Sequence, residues 1–227
     1  MKATKLLVVS LGSLLLSVSA QGATVLAIPS ITGFSGGDSF TAGDFTQLTN
    51  GAGITKPDVN DPSTWTNTGT GYAEEWYDNH LAGATNGKLG WVSFDLGAST
   101  PDLGNLYLFN GNYQTGQLGT ATFNIYYAVG PTVALPSPPG ANSTVDYDFA
   151  SGGWTQLGST RSLAAKANGV YDLSGIPTAR YIALELMSTH GTDQRSGFDE
   201  VAITAIPEPS AALLGGVGML LLLRRRK

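Results

Sequence analysis

Short runs of alternating apolar and polar residues recur through the middle of the chain, separated by Gly, Pro, Ser, Thr, Asn and Asp. A period of two places successive side chains on opposite faces of a β-strand, so one face of each strand is expected to be buried. The clearest run is 91–97, in which Val92, Phe94 and Leu96 form the apolar set. The other predicted strands are 25–29, 106–110, 123–129, 154–157, 170–173, 180–186 and 200–205.

Long helical periodicity and internal repeats are both absent from the sequence. Short strands separated by turn residues are typical of an all-β protein. The predicted fold is a jelly-roll β-sandwich of about eight antiparallel strands, which occupies residues 24–205. The run at 106–110 is uniformly apolar, which predicts a central position in its sheet.

Three stretches between the predicted strands have their own expected structures. Residues 47–71 contain many residues that break helices and strands, so we expect an ordered loop without regular elements, whose oxygen-bearing groups turn inward. Residues 72–78 combine aromatic and acidic side chains, which indicates either a short helix or a loop lid. Residues 130–150 contain four prolines and many small polar residues, so we expect a projecting, mobile loop.

The first 23 residues have the layout of a secretory signal peptide. Lys2 and Lys5 precede an apolar segment, residues 6–16, and small residues follow, so that cleavage is expected after Ala20 or Ala23. The apolar segment is too short to span a bilayer comfortably, which disfavours the alternative of a retained N-terminal anchor. The sequence therefore predicts export, with residues 1–23 forming a signal helix that is removed.

Residues 206–227 combine two prolines, an apolar run and a terminal cluster of basic residues. The apolar run, 210–223, would extend ~21 Å as a helix, which is short of the ~30 Å hydrocarbon core of a bilayer. We expect a short transmembrane helix that anchors poorly, with its basic end on the cytoplasmic side and the residues before it in extended backbone. The predicted sorting motif consists of Pro207, Glu208, Pro209, Arg224, Arg225 and Arg226.

This order of Pro-Glu-Pro, short apolar helix and terminal Arg/Lys cluster resembles the PEP-CTERM sorting signal. The resemblance implies processing by an exosortase, an integral-membrane cysteine transpeptidase of Gram-negative bacteria that is usually encoded beside exopolysaccharide genes. The implied route passes transiently through the inner membrane and ends at the cell surface or in the extracellular matrix. The alternative is an ordinary C-terminal anchor that follows a Pro-rich linker.

Charge and cysteine content narrow the classes of partner and chemistry. Six of the twelve Lys and Arg residues lie in the two terminal segments, and all seventeen Asp and Glu residues lie between those basic groups. The part between them has six basic against seventeen acidic residues, a net charge of about −11, which disfavours nucleic acid and anionic lipid as partners. The chain has no cysteine, so it must depend on its core, and thiol catalysis and Cys-based metal sites are excluded.

Three of the predicted strands carry a second resemblance. Trp91–Gly97 is similar to the Trp-hydrophobic-x-hydrophobic-Asp-Leu-Gly strand of discoidin or coagulation-factor C-type domains, Ala179–Leu184 resembles their Ala-Arg-Tyr strand, and Gly197–Val201 resembles their closing element. The segments occur in family order and imply a galactose-binding-like jelly roll. Two departures stand out: Ala183 occupies a position where the family often has Arg, and the Pro-rich stretch replaces a family loop after the 123–129 strand.

The same resemblance implies one structural Ca²⁺ between an early Asx-Gly loop and an acidic residue of the last strand. The matching positions in this chain are Asn50 and Glu200. Ca²⁺ takes about six to eight oxygen ligands, many of them carbonyls of irregular loops, and such a loop is predicted at 47–71. Asn50 brings no charge where Asp would, so the sequence leaves both binding and its absence open.

Aromatic residues in predicted loops are the main signal for a ligand site. Such rings can stack on sugars while neighbouring polar side chains bind the hydroxyl groups. The alternative for Trp76 and Tyr77 is that they cover the core. The candidate ligand-binding residues are Tyr72, Trp76, Tyr77, His80, Tyr113 and Arg195, with Asp78 and Asn79 as further hydrogen-bonding neighbours.

An enzyme would need catalytic groups, and the adjacent carboxylates at 74–75 and 199–200 are the first to consider. Neighbours on a strand point to opposite faces, whereas glycosidases place two carboxylates across a cleft, so we expect both pairs on the solvated surface. Ser188, His190 and Asp193 are too close in sequence to predict a catalytic triad.

The sequence thus predicts an exported, non-enzymatic protein of the cell surface or of an exopolysaccharide (biofilm) matrix, which is adhesive or carbohydrate-binding and is sorted by an exosortase. The expected partners are the exosortase during processing and extracellular polysaccharide afterwards. The alternative is a secreted jelly-roll carbohydrate-active enzyme. A cleft with two inward-facing carboxylates would favour that alternative, and aromatic residues at one end of the sandwich without such a cleft would favour the binding protein.

Overall fold

The computed structural model describes residues 24–26, 30–34, 46–69, 76–78, 90–111, 117–136, 145–192 and 195–206. The predicted signal helix, the apolar run 210–223 and the Pro-Glu-Pro motif with its basic cluster lie outside these residues. Within the described ranges, no helix is both long enough and apolar enough to cross a membrane.

The described part of the chain is almost entirely β-structure, and its strands pair in antiparallel fashion, which confirms the predicted fold class. Its helical elements are α1 (Gln47–Asn50) and a 3₁₀ turn at Pro62–Thr64. The strands are β1 (Thr24–Val25), β2 (Ser30–Phe34), β3 (Ile54–Thr55), β4 (Thr66–Asn67), β5 (Trp76–Asp78), β6 (Gly90–Thr100), β7 (Leu103–Asn110), β8 (Thr120–Ala128), β9 (Thr155–Gln156), β10 (Arg161–Ser162), β11 (Asn168–Asp172), β12 (Ala179–Thr189) and β13 (Ser196–Ala205).

Two sheets form the sandwich. Sheet A has the strand order β1-β13-β7-β11, and β5 also pairs with β13. Sheet B has the order β10-β8-β12-β6-β2, and β9 also pairs with β8. Among the long strands, consecutive strands lie in different sheets: β6, β8 and β12 belong to sheet B, and β7, β11 and β13 belong to sheet A. This alternation gives the jelly-roll sandwich that the strand pattern predicts.

The main core lies between the two sheets. Val92 and Phe94 of β6 and Ile182 and Leu184 of β12 point into it from sheet B, as the period of two requires. Leu106 of the central strand β7 faces them from sheet A, and all five side chains are fully buried. The alternation at 91–97 therefore marks the inward face correctly.

Sheet B also has an apolar outer face, which the chain covers with a second core, here called the outer core. Trp91 of β6, Tyr126 of β8 and Ala183 of β12 point outward and pack with Phe149 and Trp154 from the segment that follows β8. Phe149 is fully buried, and its ring is stacked on that of Tyr126 with centroids 4.9 Å apart. The outer core therefore buries a stack of aromatic rings on the side of sheet B away from the main core.

The projecting, mobile loop expected at 130–150 is wrong for the residues of that stretch that the structure describes. The Tyr147 hydroxyl donates to the Val133 carbonyl oxygen at 2.7 Å, and the Trp154 Nε1–H donates to the Tyr147 hydroxyl at 3.2 Å. Prolines exclude this stretch from a ladder of strand hydrogen bonds, but they do not prevent aromatic side chains within it from being buried.

The loop 46–69 covers the outer face of sheet A. Trp65 packs on Phe109 of β7 with ring centroids 5.8 Å apart, and Ala202 of β13 completes this cluster. The Trp65 Nε1–H donates to the Asp58 carbonyl oxygen at 2.6 Å. The expectation of no regular element here is wrong in detail, because α1, β3, the 3₁₀ turn and β4 fit into the short intervals between the breaking residues.

The two ends of the sandwich differ in the chain segments that lie there. At the first, called the terminal end, Thr24 of β1 pairs with Ala205 of β13, and the Ile206 N–H donates to the Asp102 carbonyl oxygen in the β6–β7 turn. The opposite end, called the loop end, has the ends of β5 and β7 and the starts of β6, β8 and β13. The first and last residues of the described part thus lie together, away from the loop end.

Phe149→Ala is expected to lower the free energy of unfolding by about 3–5 kcal/mol, because it leaves a cavity among buried rings. Urea denaturation of the purified chain, followed by tryptophan fluorescence, measures the change. Val133→Ala, at an exposed position of the same segment, is the control and should change stability by less than about 0.5 kcal/mol. A Phe149→Ala chain as stable as the wild type would contradict the outer core.

Candidate functional site

Two of the motif segments meet as neighbouring strands of sheet B. Arg180 of β12 binds Asp95 of β6 through two hydrogen bonds, from Nε to Oδ1 at 2.9 Å and from Nη2 to Oδ2 at 2.8 Å. The Gly97 N–H also donates to Asp95 Oδ1 at 2.8 Å, and Gly97 has a φ of 81°, which favours glycine. The Asp-Leu-Gly and Ala-Arg-Tyr motifs therefore supply the two halves of one bidentate ion pair.

The two departures from the discoidin pattern lie together in the outer core. Ala183 is fully buried there, and the Pro-rich stretch leads into the segment that supplies Phe149 and Trp154. The Arg that the family often has at this position would bring a charged group among buried rings, which is costly unless the charge is paired. A small residue at position 183 is therefore what allows Phe149 and Trp154 to cover this part of sheet B.

The predicted ligand residues Trp76 and Tyr77 are not in a loop. They lie in β5, where Trp76 pairs with Phe198 and Tyr77 with Gly197, and both side chains are buried. Gly197 permits this pairing, because a Cβ there would collide with the Trp76 carbonyl oxygen. The short helix or lid expected at 72–78 is thus a strand over its last three residues. Trp76 packs in the main core, as the alternative has it, and Tyr77 is buried as well.

The other predicted ligand residues are distributed differently. Arg195 is half-buried and stands immediately before β13 at the loop end. Asp78, the last residue of β5, is fully buried, and burial raises the pKa of its carboxyl well above the ordinary value, while a backbone hydrogen bond at Trp91 acts against this. The residues Tyr72, Glu74, Glu75, Asn79, His80 and Tyr113 lie outside the described part of the chain.

The described residues at the loop end are tied to one another. Asp78 pairs with Ser196, and the Ser196 and Thr120 hydroxyl groups are 2.8 Å apart. The Asn110 Nδ2–H donates to the Thr120 carbonyl oxygen at 2.9 Å, and Gly119 forms a bridge with Gly197. The segments that follow β5 and β7, and the residue that precedes β13, therefore join the sandwich at one place.

The carboxylate pair at 199–200 is buried, so the expectation of a solvated surface is wrong for it. Phe198 lies opposite Asn110 and Glu200 opposite Phe109, which leaves Asp199 as an extra, bulged residue in β13. Glu200 is on the outer face of sheet A and is buried because the loop 46–69 covers that face.

Glu200, a predicted calcium ligand, lies on the outer face of sheet A beneath the loop 46–69 and is only 2% exposed. Lys56 Nζ donates to Glu200 Oε1 at 2.8 Å, and the Gly51 N–H donates to Oε2 at 2.8 Å. The same Nζ lies 4.1 Å from the centre of the Trp65 ring. Burial raises the pKa of Glu200, and the Lys56 ammonium and the Gly51 N–H act in the opposite direction.

Asn50, the other predicted ligand, is the last residue of α1 and turns its side chain into its own loop. Its Oδ1 accepts from the Ala52 N–H at 2.7 Å, and its Nδ2–H donates to Gln47 Oε1 at 2.8 Å. Gly51 follows in the left-handed conformation with a φ of 78°. The Asx-Gly turn that the resemblance implies is therefore present, but its amide oxygen already accepts a hydrogen bond.

These contacts do not fit a Ca²⁺ site. Ca²⁺ needs about six to eight oxygen ligands, and here an ammonium lies against the Glu200 carboxylate while the Asn50 oxygen is engaged by a backbone N–H. In the ranges that the structure describes, no group of three or more His, Cys, Asp or Glu residues is arranged to hold a metal ion. Calcium binding itself stays a prediction.

One buried polar cluster escaped the sequence analysis. Glu185 of β12 is almost fully buried, and its Oε2 accepts from Asn124 Nδ2 at 2.8 Å and from the Tyr126 hydroxyl at 3.2 Å. Asn124 Oδ1 in turn accepts from the Thr160 hydroxyl at 2.7 Å. Burial, with a further contribution from the Glu185 charge, raises the pKa of Tyr126 to about 12. A single Glu within the apolar run 180–186 was the available signal.

Comparison with known proteins gives similarity of structure only. No family model matches the chain, and no curated protein matches it. Similar solved structures include a Streptococcus pneumoniae fucose binding module, with a TM-score of 0.45, 15% identity and coverage of 82% of this chain and 97% of that one. The F5/8 type C domain of a Bacteroides fragilis protein has a TM-score of 0.45 and 10% identity, covering 81% of this chain and 97% of that one. The family 32 carbohydrate-binding module of C. perfringens NanJ, solved with galactose, has a TM-score of 0.44 and 8% identity, covering 80% of this chain and 98% of that one.

Asp95→Asn is expected to lower the melting temperature near neutral pH, and its difference from the wild type should close in acid. The hydrogen bonds from Arg180 hold the pKa of Asp95 below its ordinary value, so in acid, between the folded and unfolded pKa values, the folded chain binds fewer protons than the unfolded chain. The stabilisation is therefore fully present above the unfolded pKa of about 3.9 and is lost as the pH falls through the folded pKa. Thermal melts of both chains from neutral pH to about pH 3 measure the difference.

Arg180→Met is the matched variant for this experiment. It should lower the melting temperature near neutral pH, and adding Asp95→Asn to it should then cost much less than Asp95→Asn costs in the wild type. A difference between the wild type and Asp95→Asn that is the same at neutral and acid pH would contradict the role of this pair.

Proposed function

We propose that this chain is an exported, non-enzymatic carbohydrate-binding protein of the cell surface or the exopolysaccharide matrix, and that its glycan binds at the loop end of the sandwich. The observation on which the proposal rests is that aromatic side chains from loops cover the outer faces of both sheets. Phe149 and Trp154 cover sheet B, and Trp65 covers sheet A. Neither outer face offers a platform of rings to a sugar in the described part of the chain, which leaves the ends of the sandwich.

The loop end is favoured over the terminal end by the residues that belong to it. Arg195 precedes β13 there, and the described residues on either side of His80 and Tyr113 are at the same end. An aromatic ring that stacks on a sugar, together with a guanidinium and an imidazole that bind hydroxyl groups, is a typical combination for carbohydrate recognition. The resemblance of the strand motifs to discoidin domains also supports a glycan ligand.

Two buried carboxylates of the described residues, Glu185 and Glu200, weigh against the enzyme alternative. A glycosidase of the usual kind needs one carboxyl group to transfer a proton and a second across a cleft. Glu185 accepts from Asn124 and Tyr126, and Glu200 accepts from Lys56 and Gly51, so these oxygens are engaged within the protein. Such carboxylates stabilise local structure and are not placed to act on a bound substrate.

Arg195→Ala is expected to weaken binding to polysaccharide at least tenfold. A hydrogen bond from a charged donor contributes about 1.5–3 kcal/mol, and about 1.4 kcal/mol corresponds to a factor of ten in affinity. Affinity electrophoresis in gels that contain the host's exopolysaccharide measures retention. Fucose and galactose, the sugars named for two of the similar structures, serve as the first soluble competitors.

Lys166→Ala is the control for charge, because it removes one positive charge from an exposed position before β11. It should be retained like the wild type. Thermal melts of all three chains, with binding measured well below each melting temperature, separate lost binding from lost folding. Retention of Arg195→Ala equal to that of the wild type, or a wild-type chain that the host's exopolysaccharide does not retain, would contradict the proposal.

We further propose that residues 206–227 are a processed sorting signal, which rests on their sequence and not on the described part of the chain. The apolar run at 210–223 is short of a stable span, and the basic cluster after it would hold it in the membrane only temporarily. Pro207, Glu208 and Pro209 would be displayed just outside the membrane for an exosortase to recognise. The same exosortase would explain delivery to the outer surface or matrix.

Glu208→Gln is expected to block processing, because a site built to pair with that carboxylate would leave its own partner buried and unsatisfied. Intact mass and cell fractionation in the native host give the result. The wild type should lack residues 210–227, or a closely similar piece, and leave the inner membrane, whereas Glu208→Gln should keep the tail and remain there. Arg226→Lys, which keeps the terminal charge, should be processed. A wild-type chain recovered at the cell surface with Arg224–Lys227 still attached would contradict this proposal.

A further inference from the structure

The buried carboxylate of Glu200 requires a positive partner. It lies on a strand next to a bulge, beneath a loop, and is 2% exposed. Removing a carboxylate from water is costly unless a cation and hydrogen-bond donors replace the lost hydration. Both oxygens receive such donors, one from the Lys56 ammonium and one from the Gly51 N–H, each at 2.8 Å.

The loop 46–69 is built to hold the Lys56 ammonium at this position. Its Nζ lies over the Trp65 ring at 4.1 Å from the ring centre, where an ammonium is attracted by the π-electrons. Trp65 is itself fixed by stacking on Phe109. Gly51 leaves room for the lysine, because a Cβ there would be 3.0 Å from Nζ and 3.2 Å from Cε.

Several oxygen atoms of the loop accept hydrogen bonds from the loop's own N–H groups. The Gly53 carbonyl oxygen accepts from the Thr68 N–H at 2.8 Å and the Gly69 N–H at 2.7 Å. Asp58 Oδ1 accepts from the Asn60 N–H at 2.8 Å. The loop therefore closes on itself through hydrogen bonds, and these oxygens are not left pointing at a common centre for a cation.

We propose that Lys56 is the built-in cation of this site: its ammonium takes the place beside Glu200 where the discoidin resemblance implies Ca²⁺, and the loop is ordered on sheet A without calcium. A divalent ion bound to Glu200 would lie within a few ångströms of the ammonium and be repelled by it. Ca²⁺ would therefore have to displace Lys56 from both Glu200 and the Trp65 ring, and it would obtain one carboxylate ligand, Glu200, by doing so.

The proposal has a consequence for the conditions under which the loop 46–69 stays ordered. A loop held by Ca²⁺ loosens when a chelating or calcium-poor medium removes the ion, because a ligand stabilises the folded state only at its prevailing concentration. A lysine is covalently part of the chain and cannot be lost by dilution. The structure of the loop 46–69 is therefore independent of the calcium concentration outside the cell.

The test compares thermal melts of the purified full chain in about 5 mM CaCl₂ and in about 5 mM EDTA at matched ionic strength, a concentration above the 10⁻⁴–10⁻³ M dissociation constants of extracellular calcium modules. A site of that affinity would raise the melting temperature by roughly 3–6 °C. The wild type should instead shift by no more than Glu200→Gln does. That comparison removes the general effect of Ca²⁺ on an acidic protein, because the variant lacks only this carboxylate.

Lys56→Met tests the lysine directly, because it keeps an unbranched side chain of similar length and removes the charge. It should lower the melting temperature by roughly 5–15 °C, as expected for breaking one partner of a buried pair. Lys56→Arg keeps the charge and should recover most of the loss. Hydrogen exchange of 46–69 should rise in Lys56→Met, because the loop loses the contact that holds it to β13.

Two results would overturn the proposal. The first is a Ca²⁺-induced rise in the wild-type melting temperature that Glu200→Gln abolishes. The second is a Lys56→Met chain that melts and exchanges like the wild type. Should a variant fail to fold, hydrogen exchange of 46–69 in the wild-type chain decides the question, since greater protection in CaCl₂ than in EDTA would also overturn the proposal.

Discussion

Each sheet of this sandwich has large apolar side chains on both faces, and the rest of the structure depends on covering the outer ones. An uncovered patch containing Trp91 and Tyr126 would favour association of the chain with itself or with other proteins. Residues around Phe149 cover that patch on sheet B, and the loop that contains Trp65 covers sheet A. The chain has no cysteine, so aromatic packing, hydrogen bonds and the Lys56 ion pair hold both covers in place.

The long strands could be predicted from the sequence because a period of two over seven or more residues is a local property. The environment of the outward-facing side chains could not be predicted in this way. Trp91 and Asp95 both alternate with the core residues of β6, but Trp91 is buried beneath aromatic rings and Asp95 is paired with a guanidinium. β5 is too short for any period to be visible, and Trp76 is buried because β5 pairs with β13, which is distant in sequence. The bulge at Asp199 likewise depends on that strand's partner.

The candidate site shows a similar division between what a motif can and cannot predict. The resemblance identifies Asn50 and Glu200 as a pair, and Gly51 does bring the Asx turn to the carboxylate. A family motif identifies the residues that bind a metal, but it does not identify a side chain that takes the metal's place. Lys56 lies among residues that break helices and strands, and no sequence motif marks it. Only the three-dimensional path of the loop brings that ammonium to Glu200, and the same path determines what the site can hold.

The first and last residues of the described part lie at the same end of the sandwich, which affects how the domain would carry mechanical load. Thr24 and Ala205 pair at the terminal end, whereas Arg195 lies at the other end, the full length of β13 away. If a matrix polymer held the loop end while the tail was fixed, tension would run along β13, whose register with β7 extends from Phe198 to Ala205. Force along that axis shears the ladder, so that many hydrogen bonds share it and must break together. The same force applied across the strands would open them one at a time. A sandwich in which β1 and the end of β13 pair at one end therefore resists a pull between that end and the loop end through many hydrogen bonds at once.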